Sequence, residues 1–423
     1  MKLIVKPSRL RGSIAVPGSK SHTIRGVVAA LAASGVSRLI APLESADTRS
    51  TLAAAVKLGA SCRVENGLWE ITGCGGKFTA PEQLLDLGNS GTGLRLLSAM
   101  AANGANKISF DGDDSLRTRL MKGLLDALTL LGVETSSTAG KCPLTVKGPI
   151  RGGKAKVDGT TSQFLSALLF AAPLAPGNTE LELDFLNEKP YVDITLGWLD
   201  RLGIVYEKSA DMLRFGIPGG QVYRGFDYTI PADFSTAAFP LAAAALVGDG
   251  VTICNLDFND LQGDKKVFDF FSEMGATYEQ RCELLVKPAP AHLSGGVFDL
   301  NATPDALPVM AAAAACAHGV TKLVNVPQAR VKETDRIACM TRELGKMGAE
   351  IEELPDGMVI GGGRLHGAEL DGCGDHRIVM ALAVAALAAD GESVIGGAEA
   401  AAVTYPDFVT DFKALGADFT LES

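Results

Sequence analysis

Apolar positions along the chain fall into runs that close, six times over, on a hydrophobic residue, a glycine and a small residue. These are Leu58-Gly59-Ala60, Leu131-Gly132-Val133, Leu202-Gly203-Ile204, Met274-Gly275-Ala276, Met347-Gly348-Ala349 and Leu415-Gly416-Ala417. The glycines are 73, 71, 72, 73 and 68 residues apart. Each fits a helix C-cap leading into a strand, because glycine takes the left-handed conformation without a Cβ clash. After each of the first five comes a strand ending near glycine or proline, such as Leu144-Thr145-Val146-Lys147-Gly148, then a third short strand. A polar turn and an Ala/Leu-rich helical run follow. The polar turns lie at Ser19-Lys20-Ser21, Asn89-Ser90, Thr161-Ser162-Gln163, Asp233-Phe234-Ser235, Pro304-Asp305 and Asp375-His376-Arg377. Six modules of mixed β/α character account for the chain.

The last module stops one strand short, and Lys2-Leu3-Ile4-Val5-Lys6 matches the missing strand. The predicted partition is therefore three modules per domain. Residues 1–18 with 232–423 make one discontinuous domain, and residues 19–231 make the other. The chain crosses twice, near Pro17–Lys20 and near Tyr228–Asp233, which predicts a hinge with the polar turns facing a cleft. A solenoid is the competing architecture, but a period of about seventy residues is long for known solenoid repeats.

Composition narrows the function. The 423 residues are 47% hydrophobic and 21% charged, the balance of a globular enzyme rather than a disordered chain,. A net charge of −10 argues against nucleic acid or an anionic membrane as partner,. Any anionic ligand must then be held by a local cationic pocket. Eight cysteines (Cys62, Cys74, Cys142, Cys254, Cys282, Cys316, Cys339 and Cys373) form no Cys-x-x-Cys pair. That usage predicts free thiols in a reducing cytoplasm, with no disulfide frame and no zinc site. The N-terminus has no signal-peptide pattern, and the uncharged stretch Gly159–Thr179 carries Gln163, Pro173 and Pro176, which suit a membrane span poorly,.

The chemistry sits in the polar turns. Leu87-Gly88-Asn89-Ser90-Gly91-Thr92-Gly93-Leu94-Arg95 reads as a small-residue turn feeding a helix, with a cation one turn in. Such a start presents unpaired N–H groups and a partial positive charge to an oxyanion. Gly18-Ser19-Lys20-Ser21 with Arg25 repeats the device, and a lysine at a helix start opposes the dipole unless an anion is present. It lacks the P-loop spacing. Val331-Lys332-Glu333-Thr334-Asp335-Arg336, read as helical, makes Lys332 and Arg336 i,i+4 neighbours beside Glu333; a solvated helix face is the bland alternative. Asp375-His376-Arg377 opens a strongly apolar run, where an arginine suits a carboxylate or phosphate. Arg117 and Arg119 either add two more cations or merely pair with Asp113 or Asp114. Asp305 and Asp233 both read equally as plain N-caps. No metal-ligand spacing, nucleophile elbow or dinucleotide fingerprint is present. Lys20, Arg25, Arg95, Arg119, Lys332, Arg336 and Arg377 are more cations than one carboxylate requires. They suit two polyanionic small molecules bound together.

These motifs, with Lys189-Pro190-Tyr191-Val192-Asp193-Ile194-Thr195, occur in an order that closely resembles the 5-enolpyruvylshikimate-3-phosphate synthase family over nearly the whole chain. The resemblance implies an α/β (α+β) fold of two domains, each of three βαβαββ units. It implies transfer of the enolpyruvyl group of phosphoenolpyruvate to the 5-hydroxyl of shikimate 3-phosphate, with domain closure and no cofactor or metal. Lys20, Ser21, Arg25, Thr161, Ser162, Gln163, Asp305 and Lys332 would hold shikimate 3-phosphate. Gly91, Arg119, Gln163, Arg336 and Arg377, with Lys20, would hold phosphoenolpyruvate, and Asn89, Gln328 and His376 complete the substrate-binding set. Asp305 would take the 5-hydroxyl proton, Glu333 would protonate the methylene carbon, and Lys20 joins them as catalytic. A cytoplasmic monomer is expected.

The chain departs from the family pattern at several points. Val403-Thr404-Tyr405-Pro406 lacks a lysine common there, Arg119 precedes Leu120 rather than proline, Gln328 replaces a frequent asparagine, and Glu188 stands where some members have serine. The nearest rival is an enolpyruvyl transferase acting on UDP-N-acetylglucosamine, a type that usually has a cysteine in the loop matching residues 111–119; this loop has none. A non-catalytic, clamp-like relative is the other alternative.

Overall fold

The six recurring glycines all terminate helices, and all six have positive φ: Gly59 117°, Gly132 93°, Gly203 68°, Gly275 104°, Gly348 93° and Gly416 102°. The helices they end are Ala46–Lys57, Lys122–Leu130, Lys189–Arg201, Lys266–Glu273, Arg336–Lys346 and Phe408–Ala414. Leu58, Leu131, Met274, Met347 and Leu415, which precede five of these glycines, are buried. Each helix end is thus fixed by an apolar plug and a residue free to turn left-handed. The computed structural model describes residues 1–280, 283–287 and 292–422. Cys282 lies outside them, and the other seven cysteines are free thiols.

Six four-stranded sheets share one topology, a parallel pair followed by two antiparallel neighbours. In one, Gly153–Lys156 pairs parallel with Thr179–Glu182, which pairs antiparallel with Arg214–Ile217, and that with Glu207–Lys208. The parallel pair is bridged by the helix Ser162–Ala171 and the antiparallel pair is reached through Lys189–Arg201, giving βαβαββ. Strands alternate one face in and one out, as in Val36–Ile40,.

Two of the sheets exchange a strand. Leu10–Ala15 precedes the helix Lys20–Ala32 yet pairs parallel with Gly248–Cys254. Asp227–Thr229, which precedes Phe234–Val247, pairs instead with Val36–Ile40. Lys2–Lys6 lies between Ser393–Gly396 and Asp418–Glu422, antiparallel to both. The chain accordingly forms two compact units, Met1–Pro17 with residues from Ala232 onward, and Gly18–Pro231.

Each unit has its own core, built on three helices that are buried on nearly every side. In the first unit these are Phe234–Val247, Leu307–Ala315 and His376–Leu387, which pack on one another. Every residue of His376–Leu387 is buried. In the second unit Lys20–Ala32 packs against Gly91–Ala101, and Gly91–Ala101 against Ser162–Ala171. Among the described residues no helix is long and apolar enough to cross a membrane.

The capping glycines separate backbone strain from side-chain crowding. A Cβ at Gly275 would meet nothing within 4 Å, so Gly275→Ala pays for φ of 104° alone. Its expected cost is about 1–2 kcal/mol. Gly345, exposed inside the helix Arg336–Lys346 and equally uncrowded, is the control. Gly345→Ala should stabilise by ~0.5–1 kcal/mol. Urea midpoints at constant m-value should move in opposite directions for the two variants.

Candidate active site

In the first unit the starts of the buried helices are drawn together by charge. Pro304–Ala306 is a single 3-10 turn before Leu307–Ala315, and the Asp305 side chain caps neither. Its carboxylate instead meets cations: Oδ1 lies 2.8 Å from Arg336 Nη1 and 3.9 Å from Lys332 Nζ, and Oδ2 lies 3.0 Å from Arg377 Nη2. Arg377 Nη2 also donates to Ser235 Oγ at 2.7 Å. The N-terminal ends of all three core helices therefore share one polar cluster. Ser235 is held in turn by Asp233, whose Oδ1 accepts from Ser235 Oγ and caps the helix through Thr236 N.

Arg336 is the hub of that cluster and is 1% exposed. Besides Asp305 it binds Glu333 Oε2 through Nη2 at 2.7 Å and Asp375 Oδ2 through Nε at 2.7 Å. Burial opposes its charge, and Asp375, Glu333 and Asp305 together more than restore it, so its pKa is raised. Burial likewise pushes the Asp305 carboxyl up, but Arg377, Lys332 and Arg336 outweigh that and hold it well below the usual carboxylate range,. Three cations face three carboxylates here. An incoming anion must compete for guanidinium groups already engaged.

The run 331–336 differs from its helical expectation. Pro327–Val331 is a 3-10 segment, residues 332–334 bend, and the α-helix begins at Arg336, with Asp335 capping it through Ala338 N at 3.0 Å. Asp335 is the stronger start signal because its carboxylate satisfies an orphan N–H. Lys332 and Arg336 thus converge on Asp305 by a turn, not by stacking on a helix face. Gln328 is buried, with Nε2 on the Asn301 carbonyl at 2.9 Å. His376 is buried, with Nδ1 3.8 Å from Asp375 Oδ1.

The second unit repeats the arrangement with an excess of positive charge. Ser19 caps Lys20–Ala32 through His22 N, and Lys20 Nζ lies 3.3 Å from Asp47 Oδ2. Ser21, partly buried, supplies the carbonyl that accepts Arg25 Nη1 at 3.1 Å. Arg25 is 1% exposed and also reaches Thr195 Oγ1 at 2.9 Å and the Tyr191 carbonyl at 3.0 Å. Burial pulls its pKa down to about 10 against Tyr191 and Glu188, which leaves it charged at neutral pH. Arg95 Nη1 meets Gln163 Oε1 at 2.6 Å, joining the starts of two core helices. Arg119 Nη2 meets Asn89 Oδ1 at 2.6 Å. A Cβ at Gly91 would come within 2.7 Å of Arg119 Nη1 and 2.9 Å of Arg95 Nη1, so only glycine lets both guanidinium groups lie over this turn. Arg117 is the structural partner of Asp111, at 3.0 and 2.7 Å, which leaves Arg119 as the cation beside Asn89 and Gly91.

Three residues, two in the first unit and one in the second, went unnamed as site groups in the sequence. Asp375 binds Arg336 bidentately and caps His376–Leu387; its place ahead of an apolar helix was the available signal. Ser235 had only its position in a polar turn. Glu188 is buried at φ 56°, and its Oε2 accepts from Ser162 Oγ at 2.7 Å, Ser162 N at 3.2 Å and Thr161 Oγ1 at 3.3 Å. Where some relatives have serine, this chain places a carboxylate on two hydroxyls expected to meet substrate.

The family model for EPSP synthase (3-phosphoshikimate 1-carboxyvinyltransferase) matches residues 4–412. The chain belongs to the EPSP synthase family. It is 47% identical over 422 residues to the 3-phosphoshikimate 1-carboxyvinyltransferase of Acetivibrio thermocellus, covering 99% of each chain. It is 46% identical over 423 residues to that of Ruminiclostridium cellulolyticum, covering 100% of each. An EPSP synthase structure from Acinetobacter baumannii matches with a TM-score of 0.83 at 27% identity, covering 100% of each chain. The family's fold is the two-domain enolpyruvyl transferase fold, and membership makes this chain an enolpyruvyl transferase of the shikimate pathway.

The depressed Asp305 carboxyl gives this family member a pH signature. A carboxylate whose folded pKa is lowered contributes its full stability above the unfolded value, about 3.9, and loses it as pH falls below that. Asp305→Asn leaves Arg336, Arg377 and Lys332 short of one counter-charge and is expected to cost about 3–5 kcal/mol at pH 7. The gap between variant and wild type, measured by urea unfolding, should narrow steadily from pH 4 toward pH 2.

Proposed function

We propose that this chain moves the enolpyruvyl group of phosphoenolpyruvate onto the 5-hydroxyl of shikimate 3-phosphate and releases phosphate, with Asp305 and Glu333 dividing the proton transfers. Asp305 accepts the 5-hydroxyl proton as the oxygen attacks C2 of phosphoenolpyruvate. Glu333 delivers a proton to the methylene carbon, which gives a tetrahedral intermediate. Loss of a methyl proton and departure of phosphate then restore the double bond. Lys20, Arg119, Gln163, Arg336 and Arg377, with the Gly91 turn, hold phosphoenolpyruvate. Lys20, Ser21, Arg25, Thr161, Ser162, Gln163, Asp305 and Lys332 hold shikimate 3-phosphate, while Asn89, Gln328 and His376 keep these groups in place. We also assign it to the cytoplasm, as a monomer.

One observation carries the proton assignments: a single guanidinium, Arg336, binds both carboxylates, Asp305 at 2.8 Å and Glu333 at 2.7 Å. An acid and a base at one cationic centre are what addition of an alcohol across an enol ether bond requires. The anionic substrates supply the missing half of the argument. A phosphate or carboxylate drawing Arg336 and Arg377 to itself loosens their hold on Asp305 and frees it to accept a proton.

Phosphate release from phosphoenolpyruvate should therefore depend strictly on shikimate 3-phosphate. Release with UDP-N-acetylglucosamine instead, or with neither acceptor, would refute the reading. Glu333→Gln should lower kcat about 10²–10⁴-fold, while calorimetry finds shikimate 3-phosphate affinity nearly unchanged. A variant with normal turnover would remove Glu333 from the proton path.

A further inference from the structure

A second reactive cluster adjoins the Arg336–Asp375 pair and has no part in the chemistry above. Cys339 lies one turn into the helix Arg336–Lys346, and Cys373 lies two residues before Asp375. The segment carrying Cys373 runs along that helix, with Asp371 N donating to Glu343 Oε2 at 2.9 Å and Asp375 on Arg336, which makes the two thiols neighbours. Arg342 Nη2 reaches Cys373 Sγ at 3.0 Å, and Thr334 Oγ1 lies 3.3 Å from Cys339 Sγ. Cys373 stands at φ 53°, with its Sγ 3.3 Å from the Asp371 carbonyl. Two neighbouring thiols, flanked by a guanidinium and a hydroxyl, can share one negative charge between them. The Cys373 hydrogen bond, with Thr334 and Arg342, brings the Cys339 thiol down to about 6 against its burial, and Cys373 is correspondingly pushed up. Elsewhere burial leads: Cys316 is raised to about 12 by burial, and Cys142 to about 12 by burial with Asp111 against Arg95 and Arg117.

We propose that Cys339 and Cys373 form an oxidation site, converted by a hydroperoxide into a disulfide that disturbs the Arg336–Asp375 contact. The Cys339 thiolate attacks a peroxide oxygen, the O–O bond breaks, and the other oxygen leaves with a proton as water or an alcohol. Cys339 is then a sulfenic acid. Cys373 sulfur attacks Cys339 sulfur, and the sulfenic hydroxyl departs with the Cys373 proton as water. The two thiols lose two electrons and the peroxide gains them. Bond formation draws the sulfurs in to about 2 Å. That pulls the turn ahead of Asp375 against the helix that begins at Arg336, which are the two segments whose register sets the pair.

The test uses the full-length reduced protein, treated with hydrogen peroxide, then unfolded in guanidinium chloride with N-ethylmaleimide and digested without reductant. A Cys339–Cys373 linked peptide should form while Cys62, Cys74, Cys142, Cys254 and Cys316 still take maleimide. Phosphate release should fall severalfold and return with dithiothreitol. Cys373→Ser should keep its untreated turnover, form no link, and leave Cys339 trapped by dimedone as the sulfenic acid. The proposal is overturned if no linked peptide forms at doses that oxidise the other thiols, or if it forms with turnover unchanged. Dimedone capture at Cys373 in Cys339→Ser, with none at Cys339 in Cys373→Ser, overturns the order of attack.

Discussion

A charge that has been taken out of water must be met on every side, and Arg336 is such a charge. Its guanidinium binds carboxylates from three separate segments, Asp305, Glu333 and Asp375. Withdrawal of any one, with nothing anionic in its place, leaves part of a buried guanidinium unsatisfied, which is costly. The 3-10 turn at residues 304–306, the bend at 332–334 and the start of His376–Leu387 are therefore held in fixed register. In the second unit Arg25 ties Lys20–Ala32 to Lys189–Arg201 through Thr195 and the Tyr191 carbonyl.

The location of these ions follows from the helices they serve. A helix that is apolar all round offers no lateral surface to a polar ligand. Its first turn is the exception, because the orphan N–H groups there must be satisfied by something polar. Six such helices give six starts, five of them capped by a polar side chain (Ser19, Ser90, Thr161, Asp233 and Asp375) and the sixth preceded by Asp305. The module that builds the core thus also fixes where chemistry can reside.

What could be read from the sequence was local. A glycine that ends a helix is legible because its conformational need is met within two or three residues, and all six proved left-handed. Ser19, Ser90 and Asp375 announce helix starts for the same reason. What the sequence withheld depends on distant partners. Asp305 looks like a cap from its neighbours alone, yet its carboxylate is claimed by Lys332, Arg336 and Arg377, all distant in sequence. The run 331–336 has helical charge spacing, but Asp335 competes for the start and wins. Glu188 looked like a change of contact detail. Its left-handed backbone and buried carboxylate became visible only with Thr161 and Ser162 beside it.

The reciprocal strand exchange has a consequence for biosynthesis. A nascent polypeptide emerging from the ribosome cannot finish its first sheet when Val36–Ile40 appears, because the edge partner Asp227–Thr229 has yet to be translated. Lys2–Lys6 waits longer still, for Ser393–Gly396 and Asp418–Glu422. Residues made early are thus among the last to find their place, and they stay unpaired until those two strands have been translated.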